Sequence, residues 1–314
     1  MLGEPPVHVT AEDHDGTRFW VLARDPLLRH PDSTGAALDH PAYRAQRILY
    51  PWLVQPWRLG GEWALLWGMV VTNLLVVFGG TYAAARLALE VGATPWAGLV
   101  FALDPAILLA VMYDLADAVA VAGVVTFLLL VRRHQLAWAA VAAVAAVLAQ
   151  ELSLLPVLAV ACFGAGVPRR ARWSLAGLPV LVAAAWGVYE RSRLGWASSN
   201  PGGALVVLPF GGWVEAWRFG WSPRGAYDDA VVAAAVLVLA VVVVVRWWRR
   251  RRSLELLACL PIALTVPFLG STVLNVNINA LRAATPMLVL VVIDWFASRA
   301  APSRADVGRA EVRA

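Results

Sequence analysis

Trp63–Ala85 reads WALLWGMVVTNLLVVFGGTYAAA, twenty-three residues without a charge. At 1.5 Å per residue, a helix of this kind rises about 34 Å, enough to cross a hydrocarbon core of roughly 30 Å. Lipid offers no water to an unpaired backbone group, so such a stretch is expected to be helical. Outward from it the chain repeats the pattern. Apolar runs lie near 63–85, 95–112, 116–131, 135–150, 152–166, 173–190, 229–246, 254–270 and 284–297, and nine spans are expected. Several fall short of the roughly 20 residues a perpendicular span needs, so some are expected to be tilted or partly re-entrant. The expected fold class is all-α, a multi-pass transmembrane helical bundle.

Composition agrees. Of 314 residues, 60% are hydrophobic and 15% charged, with a mean hydropathy of +0.67. Soluble chains sit near 45–50% apolar and about 25% charged, so a water-soluble globule is excluded. The net charge is +5 and all 26 basic residues are arginine. They cluster between apolar runs, which is the signature of membrane topology and not of a nucleic-acid surface. Arg132–Arg133, Arg169–Arg170–Arg172, Arg246 with Arg249–Arg252, and Arg299, Arg304, Arg309 and Arg313 fall on one side of a nine-span count. That side is expected to be cytoplasmic. Cys162 and Cys259 lie inside apolar runs and read as small core residues, with no disulfide framework or metal site.

Three parts follow: a polar segment over 1–61, a membrane domain over 62–298 and a cytoplasmic tail over 299–314. The first part holds six arginines, seven acids and four of the five histidines. It has no run long enough to span and no signal-peptide pattern. It is expected to hold short helices broken at Pro26, Pro31, Pro41, Pro51 and Pro56, and to lie outside the membrane on the extracytoplasmic face. Either the first span carries it across or a helix stands ahead of Met1.

The residues suited to chemistry collect on that outer side. Asp13–Trp20 reads DHDGTRFW. Asp15 in its Asp-Gly turn is a carboxylate suited to accepting a proton from a sugar hydroxyl; a solvated turn acid is the alternative, and Asp13 is the fallback base. Arg44 and Arg47, three apart in LDHPAYRAQRILYPW at Leu38–Trp52, share a helical face and suit phosphate, or anchor headgroups. Asp114 and Asp117 share another face by the same spacing and, with Glu151, would shape an acceptor site or cap helix ends. A divalent cation on these carboxylates is possible by chemistry, but too few are gathered to assign one. Arg282 sits at the outer end of the last run, placed to neutralise a departing phosphate or to snorkel. Asp294, near the other end, reads as structural beside Arg299. Trp196, Trp213, Trp217 and Trp221 read as an interfacial belt, and RWWRRRR at Arg246–Arg252 as a headgroup-facing cluster.

The stretches HDGTRFWVLARDPL and LDHPAYRAQRILYP resemble the first outer loop of bacterial GT-C-type glycosyltransferases of cell-surface glycopolymer formation. GLVFALDPAILLAVMYDLADAVAVA at Gly98–Ala122, LAQELSLLP at Leu148–Pro156 and LRAATPMLVL at Leu281–Leu290 resemble later segments of that family in the same order. The family's Tyr-Asp-Gly-Gln stands here as His14-Asp15-Gly16-Thr17, its Asn-Pro as Asp104-Pro105 and its Arg-Glu as Gln150-Glu151.

The resemblance implies a polytopic, inverting enzyme that takes sugar from a polyprenyl-phosphate donor and passes it to a cell-surface glycan. It implies Asp15 as base and a helix upstream of the first outer loop. Arg44, Arg47 and Arg282 would hold the donor phosphate. Asp13, Asp114, Asp117 and Glu151 would shape the site. The expected partners are the donor, a glycan acceptor and the lipid bilayer of a bacterial plasma membrane, with no nucleic acid and no cofactor. A lipid-glycan transporter or flippase, and a non-catalytic assembly partner of GT-C ancestry, are the alternatives.

Overall fold

A computed structural model of the chain describes residues 15–195, 205–220, 226–249 and 253–300. Asp13, Trp196, Trp221, Arg250–Arg252, Arg304, Arg309 and Arg313 lie outside the described residues. Among those described there is no strand, only an isolated antiparallel bridge between Leu205 and Leu269.

The N-terminal segment holds the expected short helices, and they fold into a cap. It contains helices α1 (Asp15–Arg24), α2 (Pro31–Ala36), α3 (Pro41–Ala45) and α4 (Leu49–Val54). Pro31 and Pro41 begin helices instead of breaking them, because a fixed φ and a missing N–H suit the first helical position. Asp25 holds the intervening turn, accepting from the backbone N–H groups of Arg29 at 2.8 Å and His30 at 2.7 Å. Phe19, Trp20, Leu22, Leu28, Tyr50 and Val54 are buried together with Leu65, Met69, Val119, Ala120 and Ala149 of the membrane helices. The cap and the bundle therefore share one apolar core.

Each of the nine apolar runs becomes a helix or a broken pair of helices. They are α5 (Glu62–Glu90), α6 (Leu99–Leu103) with α7 (Pro105–Met112), α8 (Asp117–Arg132), α9 (Leu136–Ala149), α10 (Leu154–Phe163), α11 (Arg169–Leu194), α13 (Ala226–Arg249), α14 (Leu254–Thr265) and α16 (Asn277–Ala300). Short helices α12 (Gly211–Glu215) and α15 (Ser271–Leu274) lie between. Among the described residues, α5, α11, α13 and α16 alone are long and apolar enough to cross a membrane, and the pair α6–α7, bent by 48°, makes up to a fifth. Of the nine expected spans, four or five thus have full length, and the others are short, as several of the runs already were. The polar turns at Arg133–Gln135 and Gln150–Glu151 cut α8 and α9 to 16 and 14 residues, a rise of about 24 and 21 Å. At the bend, buried Asp104 accepts from the N–H groups of Ala106 and Ile107 and caps α7.

Helix α8 lies innermost, with Val121, Val124, Val125, Phe127 and Leu128 in the core. A Cβ on Gly123 would stand 2.9 Å from Ala146 Cα; small residues let α8 and α9 close to that distance. By contrast Phe78, Trp173, Leu181 and Val238 are exposed on α5, α11 and α13. Large apolar side chains in that number need lipid around them. The chain is a multi-pass membrane protein.

Charge is sorted to two ends. At one end Arg132 forks onto buried Glu255 at 2.6 and 2.7 Å, Arg246 onto Asp294 at 2.5 and 3.1 Å, and Ser253 bridges both acids. Asp294 thus pairs with Arg246, whereas Arg299 stacks on Trp295. Arg133 and Glu90 join that end. The opposite end carries the cap and the residues described next.

Candidate active site

Asp15 is the first residue of α1, not a turn residue. The glycine after it serves close approach: a Cβ on Gly16 would stand 2.3 Å from the Tyr113 carbonyl oxygen and 3.1 Å from Asp114 Cβ. Asp114, at φ +53°, forms the turn between α7 and α8 on which α1 rests. That turn also breaks the expected shared face of Asp114 and Asp117. Asp114 faces Tyr50, whose hydroxyl lies 3.5 Å away, donates to the Met69 carbonyl at 3.1 Å and accepts from Asn73 at 2.9 Å. Asp117, the first residue of α8, points elsewhere.

The two Asp15 oxygens are taken by two arginines. Arg44 Nη1 reaches Oδ1 at 2.5 Å and Arg282 Nη1 reaches Oδ2 at 2.9 Å. Each arginine is anchored behind by another acid. Arg44 forks onto Asp39 through Nε at 3.0 Å and Nη2 at 2.8 Å. Arg282 donates through Nε to buried Asp117 at 2.9 Å. Gln150 donates to the other Asp117 oxygen at 3.2 Å. The result is an alternating line Asp39–Arg44–Asp15–Arg282–Asp117. Burial alone would raise the Asp15 carboxyl, but Arg282, Arg44 and Arg47 together hold it below its ordinary 3.8. Hydrogen bonds from Arg44 hold Asp39 far below that value against partial burial.

Arg47 forms a second unit beside the line. It forks onto Glu151 at 2.9 and 3.1 Å and donates to the Tyr43 hydroxyl at 2.8 Å. Both Arg44 and Arg47 stand over the Tyr43 ring, at 5.5 and 5.0 Å. Trp186 of α11 donates to the Ala45 carbonyl at 2.7 Å, at the end of α3 between the two arginines.

Asp15, Arg44, Arg47, Glu151 and Arg282 all line one cavity of about 510 Å³. The lining also includes apolar Val124, Leu155, Ile262, Leu269, Val273 and Pro286. The structure thus brings together five of the predicted site residues, with Asp117 directly behind. Asp114 is set apart as a support for α1, and Asp13 lies outside the described residues. All three arginines, read from sequence as phosphate ligands, are already paired with acids. Asp39, Tyr43 and Gln46 were not singled out from sequence, although they lie in the same LDHPAYRAQR segment as the arginines. Among the described residues no group of three or more His, Cys, Asp or Glu side chains is gathered that could hold a metal ion; Asp117 and Glu151 each face a different guanidinium. Trp213 donates to the Val266 carbonyl at 3.1 Å, a packing role, and Trp217 is exposed. Comparison with models of protein families, with curated proteins and with solved structures returned no match.

Proposed function

We propose that the chain is a GT-C-type glycosyltransferase that moves a sugar from a polyprenyl-phosphate donor to a cell-surface glycan on the extracytoplasmic face of a bacterial plasma membrane. The observation that carries this reading is the mixed character of the cavity. Three guanidinium groups and two carboxylates line it together with aliphatic side chains. An amphiphile with an anionic head matches both. The motif resemblance supplies the reaction class, and the geometry is compatible with it.

In the proposed reaction an acceptor hydroxyl oxygen bonds to the anomeric carbon while the bond from that carbon to the phosphate oxygen breaks. The electron pair leaves with the phosphate, whose charge Arg44 and Arg282 balance. The hydroxyl proton passes to Asp15. A single direct displacement inverts the anomeric centre. Arg47 and Glu151, locked on each other, bound the acceptor side.

The test is sugar transfer in membranes carrying the wild type or Asp15→Asn, with defined polyprenyl-phosphate sugars as donors. Loss of transfer from a variant that still melts like the wild type is expected. Full transfer by Asp15→Asn would remove the base, and no transfer by the wild type from any such donor would remove the reaction class.

A further inference from the structure

Asp15 occupies the place that the donor phosphate needs. In the structure both Nη1 groups that converge on the cavity, from Arg44 and from Arg282, point at this one carboxylate. The carboxylate presents two oxygens with nearly the spacing of two phosphate oxygens, so each is an alternative ligand for the same pair of guanidinium edges. Other donors of both arginines are held by further acids. Arg44 keeps Nε and Nη2 on Asp39, and Arg282 keeps Nε on Asp117. Asp117 is buried and held by Gln150, and the Asp39–Arg44 contact is a two-point fork. An incoming anion that displaces Asp15 therefore leaves both arginines where they stand.

We infer that Asp15 is a built-in stand-in for the substrate phosphate: a lipid-borne phosphate ester binds between Arg44 and Arg282 by exchanging with the Asp15 carboxylate, and that exchange frees the carboxylate to act. The inference rests on the reading of these arginines as the donor-phosphate site. It also resolves a difficulty in that reading. A carboxylate clamped by two cations is a weak base and is turned away from any hydroxyl. Once the phosphate has taken its place, Asp15 loses both cations and regains ordinary basicity, with the donor already seated. Base activation is thereby tied to donor binding, and water entering an empty site meets a carboxylate that is already occupied. The aliphatic side chains of the same cavity favour a phosphate carried on an apolar chain over free phosphate.

The exchange has a counter-intuitive signature. An internal competitor lowers apparent affinity by the fraction of time it holds the site, so removing it must tighten binding. The experiment measures binding of farnesyl phosphate, inorganic phosphate and farnesol to the detergent-solubilised full chain as wild type, Asp15→Asn and Asp39→Asn. The expected result is that Asp15→Asn binds farnesyl phosphate at least tenfold more tightly than the wild type, while Asp39→Asn, which adds the same unit of charge but loosens Arg44, gains nothing. Farnesol should bind all three alike, and inorganic phosphate should bind each far more weakly than farnesyl phosphate. Unchanged or weaker binding by Asp15→Asn overturns the exchange. Equal tightening in both variants overturns it as well, since net charge would then account for the effect. Equal affinity for inorganic and farnesyl phosphate overturns the lipid-borne ligand. Because the readout is binding, a wild type that transfers no sugar would sink the reaction class and leave this result standing.

Discussion

Gly16→Ala isolates the support under Asp15. The added Cβ would stand 2.3 Å from the Tyr113 carbonyl oxygen, against an ordinary carbon–oxygen contact of about 3.3 Å. The carbonyl belongs to backbone in the Asp114 turn and cannot swing aside, so the start of α1 must move by about 1 Å. Asp15, the neighbouring residue, moves with it, and its contact to Arg282, now 2.9 Å, passes the limit of a hydrogen bond. Overpacking of this kind costs about 1–3 kcal/mol, and a displacement of about 1 Å at a reacting group costs roughly 100-fold in rate. The assay is paired: thermal unfolding in detergent, and sugar transfer in membranes. Gly79→Ala is the control, because a Cβ there meets nothing within 4 Å; on intrinsic propensity it should gain roughly 0.5–1 kcal/mol and leave transfer intact. Wild-type melting and transfer in Gly16→Ala would refute the close-approach argument, and so would an equal loss in Gly79→Ala.

Glu255→Gln, at the opposite end of the bundle, strips the charge from a buried acid that Arg132 holds at 2.6 and 2.7 Å; unfolding should come about 3 kcal/mol sooner, with farnesyl phosphate binding unchanged. The stability of the wild type should also depend on pH in two steps. Asp114 is pushed up to about 6 by burial, against hydrogen bonds from Asn73 and Tyr50, so its folded form holds a proton that its unfolded form has lost, and stability rises as pH falls from about 6 towards 4. Asp15, Asp25 and Asp39 are all held below 3.8; their contribution is complete above that value and is lost as pH falls below it. Melting in detergent across pH 3–8 should show the maximum, and Asp114→Asn should shrink the upper step while keeping the acid loss. A wild-type profile that is flat between pH 4 and 6 would refute the Asp114 assignment.

The positions of the membrane helices were legible because lipid forces one solution on any long apolar run, and charge-free stretches such as Trp63–Ala85 announce themselves. Their lengths were less so. The break at Gln150–Glu151, between the runs 135–150 and 152–166, was in view, but not its cause: both polar side chains have partners at that level, Asp117 and Arg47. The short helices of the cap were expected; its apolar core was not. Phe19, Trp20 and Leu22 are too few to announce a core alone, and they acquire one only by packing on Leu65, Met69 and Val119. At the site, local pairs such as Asp39 and Arg44, five residues apart, lie within reach of sequence reading. The contact of Asp15 with Arg282 spans 267 positions and that of Arg47 with Glu151 spans 104. Residue types there suggested chemistry, but only the fold could say that each arginine meets an acid before it meets a ligand.

The short inner helices have a further consequence. Measured from the arginine-rich end, α8 rises about 24 Å and α9 about 21 Å, against a hydrocarbon core of roughly 30 Å. With the arginine-rich end set at one edge of that core, the carboxylates at their far ends, Asp117 and Glu151, would fall some 6–9 Å short of the other edge, roughly the difference between those rises and the core. A thinned leaflet or entering water would be needed to meet them there. On the proposed reading, a lipid-borne phosphate would then meet the guanidinium row near its own depth and would need less lifting out of the bilayer, a saving set by the height of two helices.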